Sequence, residues 1–253
     1  SKSRAERSPP SGQYAATTIA ALRDRGAADI RVYSATGRAE RFAALGVGVR
    51  QAGYEDPEAM RSAFAGADQL LLVSSNDPAA DAVALHRAAM DAAVTAGVGR
   101  ILYTSHQGAA LDTQFGPGRG HARTEQLLEA TGVPWTSLRN GFYAHSLDWL
   151  VGPWRETGVI SVPVDGPVSW TAREDEAEAA AVIIASDGAY EGLTTLTANA
   201  APTFAEVAEI ASAVTGRTIR SEVLGVEPWV AAQVAAGRPE GMARFALGMF
   251  EAA

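Results

Sequence analysis

The chain has 253 residues, 47% of them hydrophobic, 20% charged and 7% aromatic, with a formal net charge of −8. That length fits one large domain or a domain with a lobe, and the acidic balance disfavours nucleic acid or an anionic membrane, both of which need clustered positive charge. Because cysteine is absent, disulfides, thiolate nucleophiles and cysteine-held metal clusters are excluded.

Residues 1–7 are polar and lead into no signal-peptide core, and no apolar run approaches the roughly 20 residues that span a bilayer. A cytoplasmic protein is expected. Residues 16–25 have a helical pattern that stops at Gly26. A short strand over 30–33, a helix over 38–45 and a strand over 47–50 follow. Asp56 and Pro57 then open a helix with a capping side chain and a proline at the first helical position. The run Leu70-Leu71-Leu72-Val73, ending in Ser74-Ser75, suits a central parallel strand buried on both faces. The alternation continues with a helix over 79–96, a strand over 100–105, a glycine-rich loop to Gly120, a helix over 121–131 and a strand over 133–139. Strands alternating with helices of this length predict a doubly wound, Rossmann-like α/β fold with a parallel sheet.

After Asn140 the rhythm loosens. A helix over 145–156, a strand over 159–162, a helix over 174–185, a strand over 194–197, a helix over 204–215 capped by Thr203, and a strand over 219–224 precede two helices starting at Pro228 and Pro239. This predicts a main α/β domain over 1–143 and a smaller, partly helical lobe over 144–253, interleaved with it. Ligands of open α/β sheets bind at the carboxyl ends of the strands.

Five motifs in chain order carry a resemblance. They are Leu70-Leu71-Leu72-Val73-Ser74-Ser75, Tyr103-Thr104-Ser105, His121-Ala122-Arg123-Thr124-Glu125, Leu138-Arg139-Asn140-Gly141-Phe142-Tyr143 and Arg173-Glu174-Asp175. Together they resemble the NmrA-like NAD(P)-binding family, atypical short-chain dehydrogenases, and within it the NAD(P)H:quinone oxidoreductase branch. The resemblance implies a Rossmann domain binding NAD(P)H, a substrate cleft beside the C-terminal lobe, and hydride transfer from nicotinamide to a quinone.

A glycine-rich turn that leads into a helix N-terminus cradles the pyrophosphate in such folds. Here the matching stretch is Pro9-Pro10-Ser11-Gly12-Gln13-Tyr14-Ala15, with one glycine of three. Pro9 cannot take the positive φ of a glycine. Two readings stay open: Ser11, Gly12 and Gln13 still offer backbone N–H groups to a phosphate and binding is weakened, or dinucleotide binding is lost. The second strand ends at Ser34 without an acid to hold a ribose hydroxyl, and Arg38 follows closely. This favours NADP(H), with Ser34 and Arg38 at the 2′-phosphate; Arg38 on a solvated helix face is the alternative.

No Tyr-x-x-x-Lys pair occurs between Gly108 and Gly132, which argues against alcohol dehydrogenation more than against quinone reduction, where the protein mainly orients the cofactor and excludes water. His121 stands where related reductases carry a helix-start lysine, and an imidazole there can donate a proton. Ser74, Ser75, Thr104, Ser105 and His106 are expected at strand ends beside the cofactor, and Asn140, Gly141, Phe142 and Tyr143 as walls for nicotinamide and substrate. The catalytic candidates are His121, Tyr143 and Ser105. Trp149, Trp154, Trp170 and Trp229 are expected to pack, and the acids at 174–178 to form a solvated helix start without a metal. The function read is an NADPH-dependent reductase of a quinone or similar flat acceptor. The alternatives are a non-catalytic NAD(P)-sensing regulator and a scaffold that has lost the nucleotide. A small aromatic substrate is the expected partner, and a homodimer is left open.

Overall fold

The computed structural model describes residues 10–34, 39–51, 53, 54, 56–75 and 80–252. Pro9 and Arg38 lie outside them, as do the side chains of Ser11 and Ser34. The described chain divides into two compact units, neither continuous in sequence. The first holds the described residues up to Ser105, with Arg123–Arg139 and Arg173–Thr194; the second holds His106–Ala122, Asn140–Ala172 and Thr195 onward.

In the first unit, helix α1 (Pro10–Asp24) starts six residues before the expected Ala16. Pro10 sits at its first position, where the missing N–H costs nothing. Strands β1 (Arg31–Ser34) and β2 (Gly48–Gln51) pair in parallel, Arg31 opposite Gly48 and Ser34 opposite Gln51; the short α2 (Ala39–Ala43) lies between them in sequence. Helix α3 (Pro57–Phe64) is capped by Asp56, whose carboxylate accepts from the Ala59 N–H at 2.9 Å. Helix α4 (Ala82–Thr95) is capped in the same way by Asp81. Strand β3 (Gln69–Leu72) runs parallel to β4 (Arg100–His106), and the sheet order is β3-β4-β5-β9, with β5 at Trp135–Asn140 and β9 at Gly192–Leu196.

Ile101, Leu102 and Tyr103 of β4 are fully buried, whereas in β3 only Leu72 is. The expectation of a strand buried on both faces therefore fits β4, not β3. Among the described residues β3 has one hydrogen-bonded neighbour, and an apolar run does not reveal how many neighbours it will find. The core joins Met60, Phe64, Leu72, Met90, Ile101, Tyr103 and Leu128.

Helix α5 (Gly116–Ala130) starts five residues before the expected His121. Its glycines belong to the start of the helix rather than to a loop, and Gly118 is tightly packed there. A Cβ on Gly118 would lie 2.9 Å from both the Gly108 carbonyl oxygen and the Thr113 methyl group, and Pro117 is tolerated in a first turn. The helix expected over 145–156 is broken into a 3₁₀ turn (Ala144–Ser146), α6 (Leu147–Leu150) and α7 (Trp154–Thr157). Gly152, at φ 65°, and Pro153 separate the last two.

In the second unit, β6 (Phe142–Tyr143) pairs in parallel with β8 (Trp170–Thr171), and β7 (Val159–Val162) with β10 (Arg220–Val223). Helix α8 (Arg173–Ala185) returns to the first unit. Helix α9 (Phe204–Thr215) carries a full capping box between Thr203 and Glu206 and ends at the left-handed Gly216. With α10 (Val226–Ala235) and α11 (Glu240–Glu251) it encloses a core of Leu150, Ile160, Val162, Trp229 and Phe250. Trp229 is fully buried and donates its indole N–H to the Ser161 carbonyl at 3.0 Å. Trp149, Trp154 and Trp170 pack against the same core. No helix among the described residues is long and apolar enough to cross a membrane.

Candidate functional site

The first unit supplies the carboxyl ends of β1 and β3, and β4 as far as Ser105; a doubly wound sheet binds its ligand at such strand ends. Ser74 and Ser75 follow β3, and both of their backbone N–H groups are held by side chains. The Ser74 N–H donates to Thr104 Oγ1 at 2.8 Å, and the Thr104 hydroxyl reaches Ser74 Oγ at 3.3 Å. The Ser75 N–H donates to His86 Nε2 at 2.9 Å. That bond leaves the proton of a neutral ring on Nδ1, 3.0 Å from Thr124 Oγ1. The ring meets Tyr103 edge-on at 5.1 Å. Burial lowers the His86 pKa from 6.5 to about 4 against a weaker opposing pull from Asp81, and it raises that of the Tyr103 phenol.

Sequence reasoning missed His86. The available signal was its place in α4, in helical step with the buried Ala89, Met90 and Ala93.

At the start of α1, the Gln13 amide is held from both sides. Its nitrogen donates to Glu174 at 3.1 Å, and its oxygen accepts from Arg173 at 3.1 Å. Gly12 is buried in the first turn of α1, and Ser34 ends β1. Ser105, a catalytic candidate, donates its hydroxyl to Glu125 at 2.7 Å. The same carboxylate accepts from Ser137 at 2.7 Å and from Arg139 through Nε at 2.9 Å and Nη2 at 2.6 Å. Glu125 is buried, and its hydrogen bonds raise the Arg139 pKa.

The second unit brings together His106, His121 and the segment that follows β5. The Asn140 carbonyl accepts from the Gln107 N–H at 2.8 Å, and the Gly141 N–H donates to Leu196 at 2.9 Å. A Cβ on Gly141 would lie 2.6 Å from Thr171 Oγ1, so only glycine fits there without a shift. The Asn140 side chain is 2% exposed, and neither its amide oxygen nor its nitrogen has a hydrogen-bond partner among the described residues. Leaving both buried is expensive unless a ligand or water meets them.

The Phe142 ring stands edge-on to His106 at 4.4 Å. Phe115 lies 5.6 Å from His106, and His121 stacks on it at 6.2 Å with the rings 20° apart. His121 is in the second turn of α5, not at a helix start. Tyr143 stacks on His145 at 5.3 Å. A separate cavity of about 240 Å³, lined by His145, Leu147, Val151, Trp154, Ile160 and Val207, contains neither Asn140 nor Phe142. It is smaller than the roughly 300–1,000 Å³ usual for ligand pockets.

Each unit, taken by itself, offers donors suited to part of a dinucleotide. The first turn of α1 carries free-ended N–H groups, hydroxyls line the ends of β3 and β4, and Asn140 offers an orphaned amide. The imidazoles and aromatic rings are suited to orienting a flat molecule and excluding water rather than to strong acid–base work.

The NmrA-like family matches residues 10–250. Quinone oxidoreductase 2 of Escherichia coli (strain K12) is 35% identical over 208 residues, 81% of this chain and 72% of that protein. The NAD(P)H azoreductase of Xenophilus azovorans is 30% identical over 207 residues, again 81% of this chain and 72% of that protein. The crystal structure of the E. coli NADPH-dependent quinone oxidoreductase complexed with NADPH has a TM-score of 0.82 at 30% identity, covering 96% of this chain and 86% of that one. The Citrobacter sp. triphenylmethane reductase complexed with NADP(H) has a TM-score of 0.81 at 28% identity, with 96% and 86% covered.

Proposed function

Because the chain belongs to the NmrA-like family, we propose that it is an NAD(P)H-dependent reductase, with NADPH as donor and a quinone or similar flat conjugated molecule as acceptor. The observation that carries this reading is the likeness to the E. coli oxidoreductase complexed with NADPH over 96% of the chain. When bound, NADPH supplies the hydride.

In the first unit, the backbone at Ser74 and Ser75 would contact the dinucleotide, held in place by Thr104 and His86. Ser11, Gly12 and Gln13 would face the pyrophosphate from the first turn of α1, and Ser34 with Arg38 the 2′-phosphate. Ser105 acts through Glu125, fixing α5 against β4 and β5. In the second unit, the Asn140 amide would hydrogen-bond the cofactor carboxamide, which offers one donor and one acceptor to match. Gly141 allows the close approach of the backbone, and Phe142 and His121, both against the His106 ring, would with Tyr143 face the acceptor. Excluding water there strengthens every electrostatic interaction during hydride transfer.

The test mixes the purified protein with NADPH and a panel of quinones and follows NADPH absorbance. Acceptor-dependent oxidation is expected; tight NADPH binding with no turnover on any acceptor would reject the enzyme reading. One feature favours the alternative of a dinucleotide-sensing regulator: α5 carries no tyrosine–lysine pair. That reading predicts NADPH binding that changes affinity for a protein partner.

A further inference from the structure

His106 is the last residue of β4 and was not among the catalytic candidates. Its ring is fixed on several sides. Nδ1 accepts the Gly108 N–H at 3.0 Å, Phe142 stands edge-on at 4.4 Å, Phe115 is tilted at 5.6 Å, and His121 stacks at 6.2 Å. A nitrogen that accepts from a backbone N–H carries no proton, so in the neutral ring the proton is on Nε2. Among the described residues no group hydrogen-bonds Nε2. The ring is partly buried, and Nε2 is not among the buried polar atoms that lack a partner. The second unit therefore holds one N–H donor at a set angle within a wall of aromatic rings.

We propose that His106 is a catalytic residue whose Nε2–H donates a hydrogen bond to an oxygen of the quinone as that oxygen gains negative charge. The inference rests on the reductase reading above. The chemistry balances as NADPH, quinone and one proton giving NADP⁺ and hydroquinone. The hydride adds to the quinone, the anion that results is held at one oxygen by His106, and water supplies the proton. His106 keeps its own proton throughout. Burial holds its pKa down at about 4, so at neutral pH the ring is an uncharged donor with one fixed tautomer, able to polarise a carbonyl without a charge change of its own. A donor aimed at developing charge in a dry setting needs no reorganisation during the reaction.

The variants H106N and H106Q separate this role from a structural one. Asparagine keeps an oxygen near the place of Nδ1 for the Gly108 N–H but has no donor at the place of Nε2. Glutamine returns an N–H there. With NADPH and 1,4-naphthoquinone, H106N is expected to lower kcat about a hundred-fold, the effect of removing one such donor. The Kd for NADPH, read by fluorescence titration, stays within about two-fold, because the donor serves the acceptor. H106Q is expected to recover at least about ten-fold in kcat over H106N. If the unaltered protein turns over naphthoquinone and H106N does so equally well, the proposal falls while the reductase reading stands. Equal losses in H106N and H106Q, or a matching loss of NADPH affinity, overturn it in favour of a structural role. If the unaltered protein oxidises NADPH with no quinone, the reading beneath the proposal falls and takes it along.

Discussion

Replacing His86 by glutamine removes a titrating group while keeping a donor and an acceptor for Thr124 and the Ser75 N–H. In the folded protein burial lowers the His86 pKa from 6.5 to about 4. Between those two values the unfolded chain binds a proton that the folded one refuses. The stability that depends on a neutral His86 is therefore complete above pH 6.5 and is lost as the pH falls towards 4. At about 1.4 kcal/mol per pH unit, that interval corresponds to about 3 kcal/mol; His86 is 2% exposed, so solvent screening reduces it little. The assay is urea unfolding of the parent and H86Q at intervals from pH 7.5 to pH 4. His106 has a similarly lowered pKa but is common to both proteins and cancels in the difference. H86Q is expected to gain about 3 kcal/mol relative to the parent across the interval, with nearly all of the gain below pH 6.5. A difference that stays flat within about 0.5 kcal/mol would show that His86 does not titrate as its burial requires.

Glu125→Gln is expected to lower stability by about 3 kcal/mol, the range for breaking a buried ion pair, and Ser105→Ala by about 1 kcal/mol, both read by urea unfolding. Ser105→Ala should leave kcat within about two-fold, and a larger loss with unchanged stability would return Ser105 to the reacting groups. Arg38→Ala is expected to erase most of a preference for NADPH over NADH, since a hydrogen bond to a charged group contributes about 1.5–3 kcal/mol. Parallel titrations with the two cofactors measure this, and an untouched preference would place the 2′-phosphate elsewhere.

Elements with local cues were legible in the sequence to the residue. Strand β7 spans 159–162 as read, and α9 starts after Thr203 because its capping box is written within four residues. The start of α5 was not legible: glycine and proline usually mark a loop, and the close approach that requires a glycine at Gly118 is made by Gly108 and Thr113, which no local pattern reveals. The strand-end positions of Ser74, Ser75, Thr104 and Asn140 could be read from where apolar runs stop. The roles of His86 and His106 could not. Each depends on a backbone N–H aimed at one ring nitrogen: for His86 it comes from Ser75 in the preceding strand end, and for His106 from the turn that brings Gly108 back two residues later. Ser105 was read as a candidate from its strand-end place, while its bond to Glu125 joins residues 20 positions apart.

The path of the chain between the two units has a consequence for how the protein is made. The chain passes from one unit to the other after Ser105, Ala122, Arg139, Ala172 and Thr194. During synthesis at roughly 5–20 residues per second, the first unit has all of its parts once Thr194 has emerged. The core of the second still lacks Phe204, Trp229 and Phe250 at that moment. Until those residues emerge, Leu150, Ile160 and Val162 lack the partners that bury them. A nascent chain paused between residues 194 and 204 would offer a chaperone one finished unit and one open apolar surface, and no single cut in the coding sequence would yield either unit alone.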